Sequence, residues 1–265
     1  MRTVNCLACS AALALAAFAP VPLRAQLFEM NHGHYPGVTL TPQEETTLGR
    51  LESLGTLPSG SWRYHEGDVP HGEDPSLDDS GWQQVDAHAQ RHHRLTAPKE
   101  AVWFRREIEV PQTLDGYDLT GARVWFRFRA NANGPVPEII YFNGRRVALG
   151  EDLEPIVLFD DAKPGEKVLV AVKLLPSADE KHIAGVDLNL EFPQNRPNPS
   201  DLRTEFLTAA LLIPSLSKDV SADQATLAKA MVDVDLTALD SKNQSKFDAS
   251  LKRAQQSLEP LKPTL

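Results

Sequence analysis

EIIYFNGRRVALG, residues 138–150, decides the fold. Ile139, Ile140, Tyr141 and Phe142 form one apolar arm, Asn143-Gly144 turns the chain, and Val147 and Leu149 carry the return arm. Asn-Gly between two apolar runs is the strongest short-range sign of a β-hairpin, because a type I′ turn needs positive φ at both central residues. Outward from this hairpin the chain reads as further strands. SWRYH (61–65), WFRREIEV (103–110) and RVWFRFR (123–129) precede it; KVLVAVKL (167–174) and VDLNLEF (186–192) follow. All are short, rich in Val, Phe, Trp and Ile, and separated by Gly, Pro, Asp and Asn. No helix of ordinary length interrupts residues 101–192. That pattern predicts an antiparallel sandwich or barrel and argues against a parallel α/β sheet.

The flanks are helical. Thr41-Pro42-Gln43-Glu44 is a capping box with Pro at the first helical position, and Leu48, Leu51 and Leu54 recur at helical spacing, so 42–54 is a short amphipathic helix. Residues 71–82 (HGEDPSLDDSGW) have the composition of a long ordered loop. The run PQNRPNP (193–199) marks a boundary. Beyond it we expect three helices: one capped at Ser200 or Asp201 and stopped by Pro214, one starting at Ser221, and one over 243–258. Three short helices bury little alone, so they should pack on the sandwich or on another domain. The organisation expected is a signal peptide (1–25), a lead-in and short helix (26–56), a β-sandwich (57–193) and a helical connector (194–265).

With 265 residues, 42% of them hydrophobic and 24% charged, the chain has the composition of an ordinary globular protein. A net charge of −9 gives no footprint for nucleic acid or for an anionic membrane. Arg2, the apolar run 7–18 and Leu23-Arg24-Ala25 resemble the three parts of a secretory signal, and the run is too short to span a bilayer. The expected product is exported, periplasmic or secreted, with no membrane attachment after cleavage; the rival reading is an uncleaved anchor. Both cysteines, Cys6 and Cys9, lie in that segment, so disulfides do not stabilise the mature chain. Losing Arg2 and Arg24 moves the net charge from −9 to −11.

The sequence has no G-x-S-x-G, no G-x-x-x-x-G-K and no H-E-x-x-H. His32, His34, His88, His92 and His93 lie in polar, loop-like segments and read as surface residues, not zinc ligands. The acidic loop is richer. Asp74, Asp78 and Asp79 make a candidate structural calcium site, although Asp and Ser also serve turns through their own backbone bonds. Trp82, Trp103 and Trp125 can stack on a sugar ring or fill the core. The candidate carbohydrate-binding set is His71, Glu73, Asp78, Asp79, Trp82 and Arg105, drawn from the longest loop and the strand beside it. The competing reading is that the aspartates fix the turn, Trp82 plugs the sandwich and the arginines pair with acids.

DDSGWQQV (78–85), WFRREIEVP (103–111), VWFRFRA (124–130) and IYFNGRRVALG (140–150) together resemble the galactose-binding-like jelly-roll domain. That domain stands at the N-terminus of many glycoside hydrolases, including the family 2 β-glycosidases. Over residues 40–265 the chain more closely resembles the N-terminal part of large bacterial α-mannosidases of glycoside hydrolase family 38. There a leading helix, a jelly roll containing an HGEDPSLDDS-W stretch, and a helical connector ending in a Leu-Glu-Pro-Leu-Lys-like run (here 258–262) precede the catalytic domain. The resemblance implies a galactose-binding-like antiparallel sandwich with a short N-terminal helix and a C-terminal helical segment.

The family's catalytic domain opens with a His-x-Asp zinc motif, and no His-x-Asp occurs in this chain. No catalytic residue can be carried over. The resemblance therefore implies a non-catalytic accessory region with no cofactor of its own, zinc being expected only in the missing catalytic domain. Its partner would be a glycan or that catalytic domain. Two alternatives stay open: a free-standing carbohydrate-binding module, and a structural or protein-interaction sandwich. Fold-level analogy does not choose among them.

Overall fold

In the computed structural model, residues 40–86, 100–131, 134, 136–177 and 181–262 are described. The expected signal peptide, most of the lead-in and His32, His34, His88, His92 and His93 lie outside them. All described residues belong to one unit of the chain, Gly37–Leu265.

The first element is α1, Pro42–Ser53. Its capping box is complete: the Thr41 backbone N–H donates to Glu44 Oε2 (2.7 Å) and the Glu44 N–H to Thr41 Oγ1 (3.4 Å). Leu48 and Leu51 face inward. Residues 55–57 then run along the second sheet, with the Leu57 N–H donating to Leu188 O and the Leu190 N–H to Gly55 O, both at 2.9 Å.

The strands are β1 (Ser61–Glu66), β2 (Gln83–Asp86), β3 (Val102–Glu109), β4 (Thr113–Leu114), β5 (Tyr117–Asp118), β6 (Arg123–Asn131), β7 (Glu138–Phe142), β8 (Arg145–Gly150), β9 (Ile156–Phe159), β10 (Lys167–Leu174) and β11 (His182–Glu191). One sheet has the order β2-β1-β3-β10-β7-β8 and the other β11-β6-β9; β4 and β5 form a separate ribbon. Every pairing is antiparallel. The protein is therefore mainly β, an antiparallel sandwich, as the strand pattern predicts.

Alternation builds the core. Val124, Phe126 and Phe128 of β6 are buried between less buried neighbours, as are Trp62 and Tyr64 of β1. Trp62 lies 6.1 Å from Phe126 and 5.8 Å from Phe128, and Phe104 lies 5.2 Å from Phe128, so aromatic rings join the two sheets. The hairpin is present as predicted. Asn143 and Gly144 have φ of 48° and 81°, the left-handed pair of a type I′ turn. Val147 and Leu149 of the return arm are 38% and 55% exposed, however, because β8 is the sheet's edge strand.

The C-terminal helices are α2 (Pro199–Leu216), α3 (Val220–Val232), α4 (Leu236–Asp240) and α5 (Gln244–Leu258), followed by a 3-10 turn over Glu259–Leu261. The N-caps of α2 and α3 are Asn198 and Asp219, not Ser200 and Ser221. Pro214 does not stop α2: in the last turn it removes only the bond to the Ala210 carbonyl, and the Ser217 N–H still reaches Ile213 O at 3.1 Å. The helices pack on the sandwich through Tyr117. Its hydroxyl donates toward Asp248 Oδ1 at 3.0 Å, and its ring meets Phe192 and Phe247 edge-on. Arg203 pairs with Glu52 at 3.1 Å, joining α2 to α1.

Candidate functional site

β3 departs from alternation, since Val102, Trp103, Phe104 and Arg105 are all buried. Phe104 faces the sandwich core. Trp103 and Arg105 face the other way, yet each is only 2% exposed, because residues 67–82 fold across the outer face of the sheet. That loop is a chain of tight turns: the Gly72 N–H reaches Val69 O, Asp74 reaches His71 O, Leu77 reaches Asp74 O and Trp82 reaches Asp79 O. Gly72 lies flat on the Trp103 ring, where a Cβ would come within 2.6 Å of it. Arg105 holds the loop from below. Its Nε donates to Asp79 Oδ2 (2.8 Å) and its Nη1 to the carbonyls of Gly72 (2.5 Å) and Asp74 (3.0 Å). Lys173 stands over the Trp103 ring and pairs with Asp68 at 2.6 Å. The hairpin closes the assembly: a Cβ on Gly144 would lie 3.0 Å from Pro75 Cδ.

The six sequence-predicted residues separate into three groups. Asp79, Arg105 and Trp82 come together, with the guanidinium carbon 5.8 Å from the Trp82 ring centre. Trp82 does not plug the sandwich; it lies half-buried on the outer face, 5.1 Å from His65. His71 and Glu73 form a loose pair, Nδ1 to Oε1 at 3.8 Å, with the imidazole 84% exposed. Asp78 serves its own turn, accepting from the Ser80 N–H at 3.0 Å, and that backbone bond holds its carboxyl below the usual range. Asp74 does the same with Ser76 at 2.8 Å. The proposed calcium ligands Asp74, Asp78 and Asp79 thus have separate partners, and among the described residues no three His, Cys, Asp or Glu side chains are grouped to hold a metal ion.

Beside the loop lies a polar surface pocket of about 410 Å³, bounded by Arg63, Asp79, Gln84, Arg105, Arg106 and Glu107. The arginines in it are already engaged: Arg105 as above, Arg106 through Nη1 to the carbonyls of Pro58 and Ser59, and Arg63 through a long bond from Nη1 to Trp82 O (3.5 Å). The Trp103–Asp68–Lys173 cluster beneath the loop is a support that sequence reading missed.

Sequence reading also passed over Glu138. As the first residue of β7 it shares a face with Ile140 and points between the sheets, 2% exposed. Its Oε2 has no hydrogen-bond partner. Burial pushes its carboxyl up to about 8, with Arg127 pulling down and Asp152 pushing up. The signal was there: an acid at even spacing from Ile140 and Phe142 lies on the core face of a strand. The carboxyl opens onto a pocket of about 220 Å³ lined by Phe128, Arg129, Asn131, Val136 and Asp152.

No family model matches the sequence, and no curated protein matches it. Solved structures do match. A glycosyl hydrolase family 2 member from Bacteroides cellulosilyticus DSM 14838 is 18% identical over 53% of this chain and 21% of its own, with a TM-score of 0.40. A beta-glucuronidase from glycoside hydrolase family 2 is 16% identical over 45% of this chain and 14% of its own, TM-score 0.34. A beta-glycosidase from Bacteroides vulgatus is 13% identical over 48% and 19%, TM-score 0.32. This chain spans about a fifth or less of the length of each. At such identities and TM-scores the likeness assigns no activity to it.

Proposed function

We propose that this chain is the non-catalytic N-terminal accessory region of an exported, α-mannosidase-like glycoside hydrolase of family 38 type. It orients, or docks on, the catalytic part of that enzyme, or holds its glycan. One observation carries the reading. The sequence motifs of the resemblance, far apart in the chain, interlock in space: Arg105 of the WFRR strand holds the DDSGW loop, and the Asn143-Gly144 turn closes on Pro75 of the same loop. The resemblance thus rests on residues that build one structural unit.

The described residues do not fit a zinc centre, since no three ligands of the right kind are grouped. No step of a hydrolysis is assigned to them. The pure chain, supplied with zinc, should release no nitrophenol from an aryl α-mannoside. Zinc-dependent release would overturn the non-catalytic reading. In the native gene, a His-x-Asp zinc motif encoded beyond codon 265 supports the link to a glycosidase, and an unrelated coding sequence there overturns it. Protein from the native host should start at Gln26; an intact Met1 refutes export by signal cleavage.

A further inference from the structure

We propose that the Glu138 pocket is a binding site for one neutral polyol, the size of a single sugar ring. It lies on the core side of the sheet where β7 begins, whereas the loop of residues 67–82 covers the sheet's outer face. One buried group points to a ligand. Glu138 is 98% buried by its 2% exposure, and its Oε2 has no partner. Arg129 of β6 also lines the pocket, but its guanidinium lies over Gly185 of β11, where a Cβ would come within 2.8 Å of Nη2, and pairs there with Asp187. Buried polar atoms are almost always hydrogen-bonded, so an orphan carboxyl oxygen beside a cavity is an anchor for a ligand.

The class of ligand follows from the charges. Arg129 already pairs with Asp187 at 2.9 Å, and Asp152 with Arg127 at 2.8 Å. A cation would face those arginines, and an anion would face Glu138 and Asp152. An apolar ligand would leave the Glu138 oxygen unpaired. A hydroxyl group both donates and accepts, so it can serve the Glu138 carboxyl with or without its proton. Phe128, Ala130 and Val136 supply the apolar wall against which the C–H face of a ring can rest. About 220 Å³ holds one ring, not an oligosaccharide. The choice of a sugar as the polyol rests on the proposed function; the site itself does not.

The test is calorimetric titration of the full chain with methyl α-mannoside, methyl β-galactoside and methyl β-glucoside. Three proteins are compared: wild type, Glu138→Leu and Glu138→Gln. Leucine removes a buried polar group without opening a cavity, so folding is retained, and a melting curve checks it. At least one glycoside should bind wild type. Glu138→Leu should bind it about tenfold more weakly or worse, the loss expected for one removed hydrogen-bonding group, and Glu138→Gln within about threefold of wild type. Binding of none of the three, as for a pocket that only holds water, overturns the inference. So does unchanged affinity in Glu138→Leu. If affinity survives Glu138→Leu but is lost in Glu73→Ala, the sugar sits on the loop: the pocket inference falls and the accessory reading stands. If no glycoside binds while the zinc motif follows in the gene, the outcome is the same.

Discussion

Replacing Glu138 with glutamine should flatten the pH dependence of stability between pH 5 and pH 8. The carboxyl is 2% exposed and has an unpartnered oxygen, and burial raises it from 4.5 to about 8. Below pH 4.5 the group is protonated whether the chain is folded or not, and it adds no slope. As pH climbs from there, the unfolded chain ionises while the folded chain keeps its proton. The unfolded state then binds fewer protons, so stability falls, by about 1.4 kcal/mol per pH unit. Above about 8 both forms are ionised and the loss stops growing. Across that window of roughly 3.5 units the loss is on the order of 5 kcal/mol. That is a large share of a domain's ~5–15 kcal/mol of net stability.

Urea unfolding at pH 4, 6, 8 and 9 measures it. Other groups titrate as well: Thr237 and Lys246 hold the Asp235 carboxyl well below its usual range, which costs stability in acid. These groups are shared by both proteins and cancel in the difference. The amide of glutamine adds a constant offset and no slope. The gap should open in favour of Glu138→Gln between pH 5 and 8 and then stay level. Parallel curves from pH 5 to 9 would show that Glu138 is not a buried, unpaired acid.

Arg105→Met should lower stability by about 3 kcal/mol, because it strips the partners from Asp79 and from two loop carbonyls. Proteolysis should then cut within residues 67–82, and a protease-resistant loop in that variant would refute the staple. Gly144→Val should cost about 1 kcal/mol or more, since a β-branched residue resists φ of 81° and its Cβ would press on Pro75. An unchanged melting temperature would count against the type I′ turn. Millimolar calcium should leave the melting temperature of the wild type where it is, given that Asp74, Asp78 and Asp79 serve separate partners; a rise that disappears in Asp78→Ala would establish an ion site.

What could be read from the sequence is what local chemistry decides. Asn143-Gly144 declares its turn because few other residue pairs accept positive φ twice, and Thr41 with Glu44 declares α1 because the capping box spans four residues. β2 and β9 escaped notice because four residues in an edge position carry little periodic signal. The placing of the loop was hidden for a different reason. Its anchor, Arg105, bonds to residues 26 to 33 positions away, and no local pattern encodes that. One clue was in the strand itself. WFRR puts large residues on both faces in succession, and a strand with both faces filled must be covered on both sides.

The same geometry changes which residues can meet a ligand. A guanidinium recognises a sugar only with N–H groups that the protein has not already used, and Arg105 spends Nε and Nη1 on Asp79, Gly72 and Asp74. It is 2% exposed, so a ligand would have to lift the loop to reach it. Lifting the loop would strip the cover from Trp103 as well as breaking those bonds, a cost that one sugar ring's contacts do not offset. Exposed polar residues on the loop therefore mark a scaffold's outer surface. Glu138 has the opposite character, being deeply buried, short of a partner and open to a cavity. In a sandwich whose core is otherwise closed by aromatic rings, an unsatisfied acid beside a cavity is the stronger mark of a site than an acidic loop whose carboxylates are already spoken for.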